Sequence, residues 1–177
     1  MQENKYGAIL CDPPWAFKTY SRPDAIPCRA AQHYKTATRD DLASIPVQSW
    51  AAKDCALFMW VVDAHMLEAL ALGQGWGFTY KTIVFIWDKQ RIGMGYWSRK
   101  EAEVCLLFTK GHPPRIGKGV KQIIRAKRRE HSRKPDEIYE RIQALVGGPY
   151  LEMFARQKWS GWDVWGDETE KFNALEG

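Results

Sequence analysis

A short apolar run, Tyr6 to Cys11, is closed by Asp-Pro-Pro and reads as a buried strand ending in a loop. Residues 13–37 then show no sustained period and hold Pro, Ser, Arg and Lys, which reads as a long loop of the kind that in compact domains is functional or mobile. Ala56 to Val62 is a second buried strand. Asp63 to Leu72 is rich in helix formers, with Asp63 suited to the N-cap and Gly73 placed past the end. Phe78 to Trp87 and Glu103 to Thr109 are β-branched, aromatic or aliphatic strands separated by a polar loop at 88–100, and Val120 to Ala126 is a weaker strand. Pro135 to Val146 is the clearest helix: Asp136 and Glu137 face its positive end, Gly147-Gly148 stop it, and Ile138, Ile142, Leu145 and Val146 form one apolar stripe. Tyr150 to Ala155 is a further strand, followed by a tryptophan-rich tail. Strands interleaved with helices predict an α/β fold whose sheet is covered on both faces. No repeat, low-complexity tract or linker divides residues 1–177, so a single domain is expected.

Four cysteines, Cys11, Cys28, Cys55 and Cys105, lack C-x-x-C spacing, which points away from zinc and from a disulfide framework. Three of them sit in strand-like runs and are expected to be buried thiols; no metal is implied. The longest apolar runs are too short to span a membrane, and no signal-peptide pattern opens the chain, so a soluble cytoplasmic protein is expected. A net charge of +5 with nine tryptophans suits a polyanion whose bases stack on rings. Arg115 to Lys134 concentrates nine basic residues against one acid, either a phosphate-tracking ridge or a solvated edge strand guarded by charge.

The candidate chemistry lies in Asp12-Pro13-Pro14-Trp15, directly after the first strand, where open α/β sheets gather their ligands. The amino nitrogen of adenine is a poor nucleophile because its lone pair is conjugated into the ring. Asp12 can accept one of its N–H groups and a backbone carbonyl, that of Pro13, the other. The two prolines fix the backbone that carries these acceptors, and Trp15 offers a face for the base. Asp12 is then an orienting acceptor rather than a strong base.

The chain resembles the D-P-P-W family of adenine methyltransferases named for the seventy-kilodalton subunit of messenger-RNA adenosine methyltransferase, and most of all its short bacterial and phage members. The resemblance rests on K-Y-G-A-I-L-C-D-P-P-W at 5–15, H-Y at 33–34, L-F-M-W-V at 57–61, G-Y-W-S-R at 95–99, E-V-C-L-L-F-T-K-G at 103–111, H-S-R-K-P-D-E at 131–137, L-E-M-F-A-R at 151–156 and G-W-D-V-W-G at 161–166. It implies a Rossmann-like methyltransferase fold with a mostly parallel sheet, a catalytic motif preceding the cofactor motif, and S-adenosylmethionine as cofactor. It implies that Lys134 meets the cofactor's carboxylate, that Arg156, Asp167 and Glu168 lie by its ribose and adenine, and that Asp12 serves both cofactor and catalysis. His33 and Tyr34 are candidates for closing over substrate, and Tyr96, Trp97 and Arg99 for stacking on or steering a target base.

Asp167 stands where the family usually has asparagine, and Lys158-Trp159 where the messenger-RNA branch has His-Asn. No upstream acidic partner of that branch is found ahead of Asp12, and no G-x-G-x-x-G follows a strand. Gly73-Gln74-Gly75 and Gly93-Met94-Gly95 read as turns, His65 as a helix-surface residue, and Trp159, Trp162 and Trp165 as core packing. The function expected is methylation of adenine amino groups in DNA by a bacterial or phage-encoded monomer or homodimer. An RNA adenine methyltransferase, a protein-amide methylase and a catalytically silent nucleic-acid-binding subunit are the alternatives.

Overall fold

A computed structural model describes residues 5–15, 37–130 and 133–172. Their strands form one sheet: β1 (Tyr6–Cys11), β2 (Ala51–Val61), β3 (Thr79–Gly93), β4 (Lys100–Lys110), β5 (Ile123–Arg125), β6 (Tyr150–Met153) and β7 (Trp162–Trp165), in the spatial order β5-β3-β4-β2-β1-β6-β7. β4 is antiparallel to both its neighbours, and every other pairing is parallel. The helices are α1 (Arg39–Ser44), α2 (Val47–Trp50), α3 (Met66–Gly75) and α4 (Glu137–Leu145). None is long and apolar enough to cross a membrane.

Strand alternation explains the layering. On β2, Cys55, Leu57, Met59 and Val61 pack with Leu42, Val47, Ala69 and Leu72 of the first three helices. Ala56, Phe58 and Trp60 point to the opposite face, where Ile138, Tyr139 and Ile142 of α4 cover them. A strand buried on both sides must be apolar at every position, hence the unbroken run at its end. Cys11, Cys55 and Cys105 are buried free thiols, as expected, and burial first of all pushes the Cys55 thiol up to about 12.

Several boundaries differ from the sequence reading. Gly73 does not follow the helix; it lies inside α3, where a Cβ would stand 2.4 Å from the Phe108 ring. Glycine is there to let helix and sheet approach, and Gly75 too is helical. The segment 88–100 is not all loop, because β3 and β4 continue as a ribbon to the pair Gly93–Lys100. His65 ends a short 3-10 turn (Asp63–His65) and stacks on Trp15 at 5.5 Å rather than lying on an open helix surface. The tail supplies β7, whose period of two splits the tryptophans. Trp162 is buried against Tyr150, whereas Trp165 is 39% exposed beside Trp50 and Phe154. Trp159 is half-buried and stacks on Tyr139 at 4.7 Å.

Candidate active site

β1 lies between β2 and β6, so Asp12 leaves an interior strand at the carboxyl edge of the sheet. The reversed strand β4 brings the start of its own chain to that edge, and with it Glu103. Lys134, just ahead of α4, joins them: its Nζ lies 3.1 Å from Asp12 Oδ2 and 2.9 Å from Glu103 Oε2. Lys89 of β3 also pairs with Glu103, which extends the charge chain to the β3–β4 ribbon. Burial disfavours the charge on Lys134, but the two carboxylates outweigh it and hold its pKa above the ordinary lysine value. Burial likewise works against the Glu103 carboxylate, yet Lys134 and Lys89 pull it down to about 2.

The backbone around Lys134 is clamped. Arg129 donates to the Lys134 carbonyl at 2.9 Å and forms a fork on Asp136, at 2.7 and 2.8 Å. Gln157 donates to the same Asp136 at 2.9 Å. Arg133 is buried over the Phe172 ring. The basic stretch is therefore mixed in role: Arg129 clamps the backbone from the surface, Arg133 and Lys134 turn inward, and β5 within it is the edge strand beside β3.

A cavity opens beside Asp12, lined among others by Trp60, Lys134, Glu152, Phe154 and Arg156. Arg156 follows β6 and its Nε lies 3.6 Å from Glu168 Oε2, in the turn after β7; Asp167 next to it is exposed. Glu152 of β6 accepts from Tyr139 Oη at 2.9 Å. Burial drives its pKa up to about 8, the Tyr139 bond opposes this, and the nearby Asp12 adds to it.

The structure thus gathers Asp12, Lys134, Arg156 and Glu168, which the sequence reading had singled out. Pro13 turns the chain, its carbonyl accepting from the Trp15 N–H at 2.9 Å, and the Pro14 carbonyl accepts from Ala37 N–H at 3.1 Å. Trp15 is buried, only 8% exposed, with His65 stacked on its ring. Tyr96, Trp97 and Arg99 are not in the cavity but at the end of the β3–β4 ribbon. His33 and Tyr34 lie outside the described residues. Sequence reading missed Glu103, Glu152, Trp60 and Tyr139. The available signal was a carboxylate set in an otherwise apolar strand, as in E-V-C-L-L-F and Y-L-E-M. Among the described residues, no group of His, Cys, Asp and Glu is arranged to hold a metal ion.

A mostly parallel sheet with a carboxylate and a buried lysine at its carboxyl edge defines a Rossmann-like α/β enzyme. Residues 6–168 match the MT-A70 family, and the chain belongs to this family of methyltransferases. It is 33% identical to the type II methyltransferase M.MunI of a Mycoplasma species, over 95% of this chain and 79% of that protein. It is 32% identical to METTL3, the catalytic subunit of N(6)-adenosine-methyltransferase of Homo sapiens, over 86% of this chain but 26% of that protein. An Arabidopsis thaliana N(6)-adenosine-methyltransferase MT-A70-like protein is 31% identical, over 85% of this chain and 22% of its own length. The chain therefore spans about a quarter of these two longer relatives.

Proposed function

We propose that this methyltransferase transfers the methyl group of S-adenosylmethionine to the exocyclic amino group of adenine in DNA. The observation that carries the reading is Asp12, in D-P-P-W at the carboxyl end of the interior strand β1, joined to Lys134 beside a cavity. The donor set fits the cofactor. A buried ammonium suits a carboxylate, Asp12 suits an ammonium, Glu168 and Asp167 suit ribose hydroxyls, and Trp60 and Phe154 give the cavity apolar wall. When bound, S-adenosylmethionine supplies an electrophilic methyl carbon.

The residues of this chain do the rest by orientation. Asp12 accepts one N–H of the target amino group, and the Pro13 carbonyl, with a lone pair beyond the one given to Trp15, accepts the other. Two acceptors held out of the base plane favour a tetrahedral nitrogen with its lone pair free. The Lys134 ammonium, 3.1 Å from Asp12 Oδ2, fixes the direction in which that carboxylate faces the target. The amino proton becomes acidic once the nitrogen carries the methyl group, so no strong base is required.

DNA is favoured by the match to a type II methyltransferase across most of both chains. RNA is the second reading, favoured by the match to the N(6)-adenosine-methyltransferases. The test is transfer from labelled S-adenosylmethionine to unmethylated duplex DNA, single-stranded DNA and RNA, with products identified by nucleoside mass spectrometry. Methyladenine in DNA, absent with Asp12→Ala, is the expected result. Label confined to RNA moves the substrate to the second reading, and cofactor binding without transfer to any of them overturns both.

A further inference from the structure

We propose that the tip of the β3–β4 ribbon is a wedge that enters duplex DNA and fills the gap left by the extruded adenine. This rests on the reading of the protein as a DNA adenine methyltransferase. An enzyme of that kind acting on a duplex must swing its target base out of the stack, and something must open the step.

The ribbon is built for such a task. β2 pairs with β4 only as far as Val61–Val104, and β5 with β3 only as far as Asp88–Arg125, so residues 89–102 run on beyond the neighbouring strands. The last ladder pair, Gly93–Lys100, lies three residues past Glu103, about 10 Å at strand rise. At the tip, Tyr96 is 92% and Trp97 96% exposed, with their rings 6.3 Å apart and nearly perpendicular. Neither ring stabilises the fold by burial. Trp97 nonetheless holds φ at 68°, a left-handed conformation that is unfavourable for a bulky residue. The turn is closed by the Ser98 N–H on the Tyr96 carbonyl at 2.9 Å, and a side chain at Gly95 would meet the Ser98 carbonyl at 2.1 Å. The fold thus sustains a strained turn whose effect is to present two rings to the exterior.

The surroundings select the partner. A groove beside the tip is lined by Lys89, Arg91, Met94, Arg99, Lys100 and Arg128. Arg91, Arg99 and Arg128 show no ion pair among the described residues. Uncompensated cations around exposed rings repel a second copy of this chain and attract phosphates. A two-stranded ribbon fits the major groove of a duplex, and apolar side chains can be inserted between base steps. The stem is tied to the reaction centre by Lys89–Glu103–Lys134–Asp12, so wedge and target pocket are held in one frame.

The test compares methyl transfer to unmethylated duplex DNA and to the same DNA heat-denatured, for wild type, Trp97→Ala, Tyr96→Ala/Trp97→Ala and Trp97→Phe. The alanine variants are expected to lose on the order of 10- to 100-fold on the duplex, the range carried by one stacking ring, and to keep near wild-type rates on denatured DNA. Trp97→Phe should restore most of the duplex rate. Equal losses on both substrates, no loss on either, or a wild type active on denatured DNA alone would each overturn the wedge while leaving the methyltransferase reading intact. A wild type that methylates neither overturns that reading, and the wedge with it.

Discussion

The ammonium of Lys134 lies 3.1 Å from the carboxylate of Asp12, so the cation suited to the cofactor and the acceptor suited to the target base are direct partners. Replacing Lys134 by Met should weaken S-adenosylmethionine binding by roughly 10- to 100-fold, the worth of one charge-assisted hydrogen bond. Isothermal calorimetry measures this, with Lys134→Arg retaining part of the affinity. An unchanged dissociation constant in Lys134→Met would remove the lysine from the cofactor site.

Glu103 holds two partly buried cations, Lys134 and Lys89. Glu103→Gln leaves both short of a counter-charge and should cost about 3 kcal/mol of stability, measurable by urea unfolding. Because its pKa in the folded protein is lowered to about 2, its contribution is full above the usual carboxylate value and is lost as pH falls toward 2. The gap between wild type and variant should therefore narrow in acid. A gap independent of pH would show that the carboxylate charge is not what stabilises.

Glu152 has the opposite sign. Its pKa in the folded protein, raised to about 8, means that the native state binds a proton more tightly than the unfolded chain. That stabilisation is complete below the usual carboxylate range and is lost as pH climbs to about 8. Glu152→Gln keeps an acceptor for Tyr139 and cannot ionise, so its stability should stay level where that of the wild type declines. Thermal melts from pH 5 to 9 that run parallel for the two proteins would contradict this (each unit of displacement corresponds to about 1.4 kcal/mol).

At the helix–sheet contact, Gly73→Ala drives a methyl group into the Phe108 ring. A loss of about 1–3 kcal/mol is expected, part of it recovered in Gly73→Ala/Phe108→Leu. Additive effects of the two substitutions in chemical denaturation would mean that they do not share this contact.

What the sequence disclosed follows from periodicity. β1 was legible to its ends, and α4 to within two residues, because each has one clear pattern and clear stops. Gly73 was misleading because a glycine that ends a helix and a glycine that packs under a ring look the same in one dimension. β7 was hidden by tryptophans three apart, a spacing foreign to a strand, and only the fold reveals that Trp162 and Trp165 face opposite ways. In the site, D-P-P-W carried its own chemistry, whereas Lys134 was marked only by the family resemblance. Glu103 and Glu152 were marked by neither, since a carboxylate becomes informative only once the apolar strand around it is known to be buried and its partner, Lys134 or Tyr139, is in place.

The single reversed strand has an architectural consequence. With β4 running against its neighbours, the chain makes a U-turn on the working side of the sheet rather than crossing beneath it. Reach and reactivity are thereby written into one hairpin: its roots deliver Lys89 and Glu103, and its outer end is free of the core. On the wedge proposal, lengthening, shortening or re-sequencing that outer end would change what the enzyme grips without disturbing how it reacts. Diversification of target preference in such a scaffold would accumulate there first.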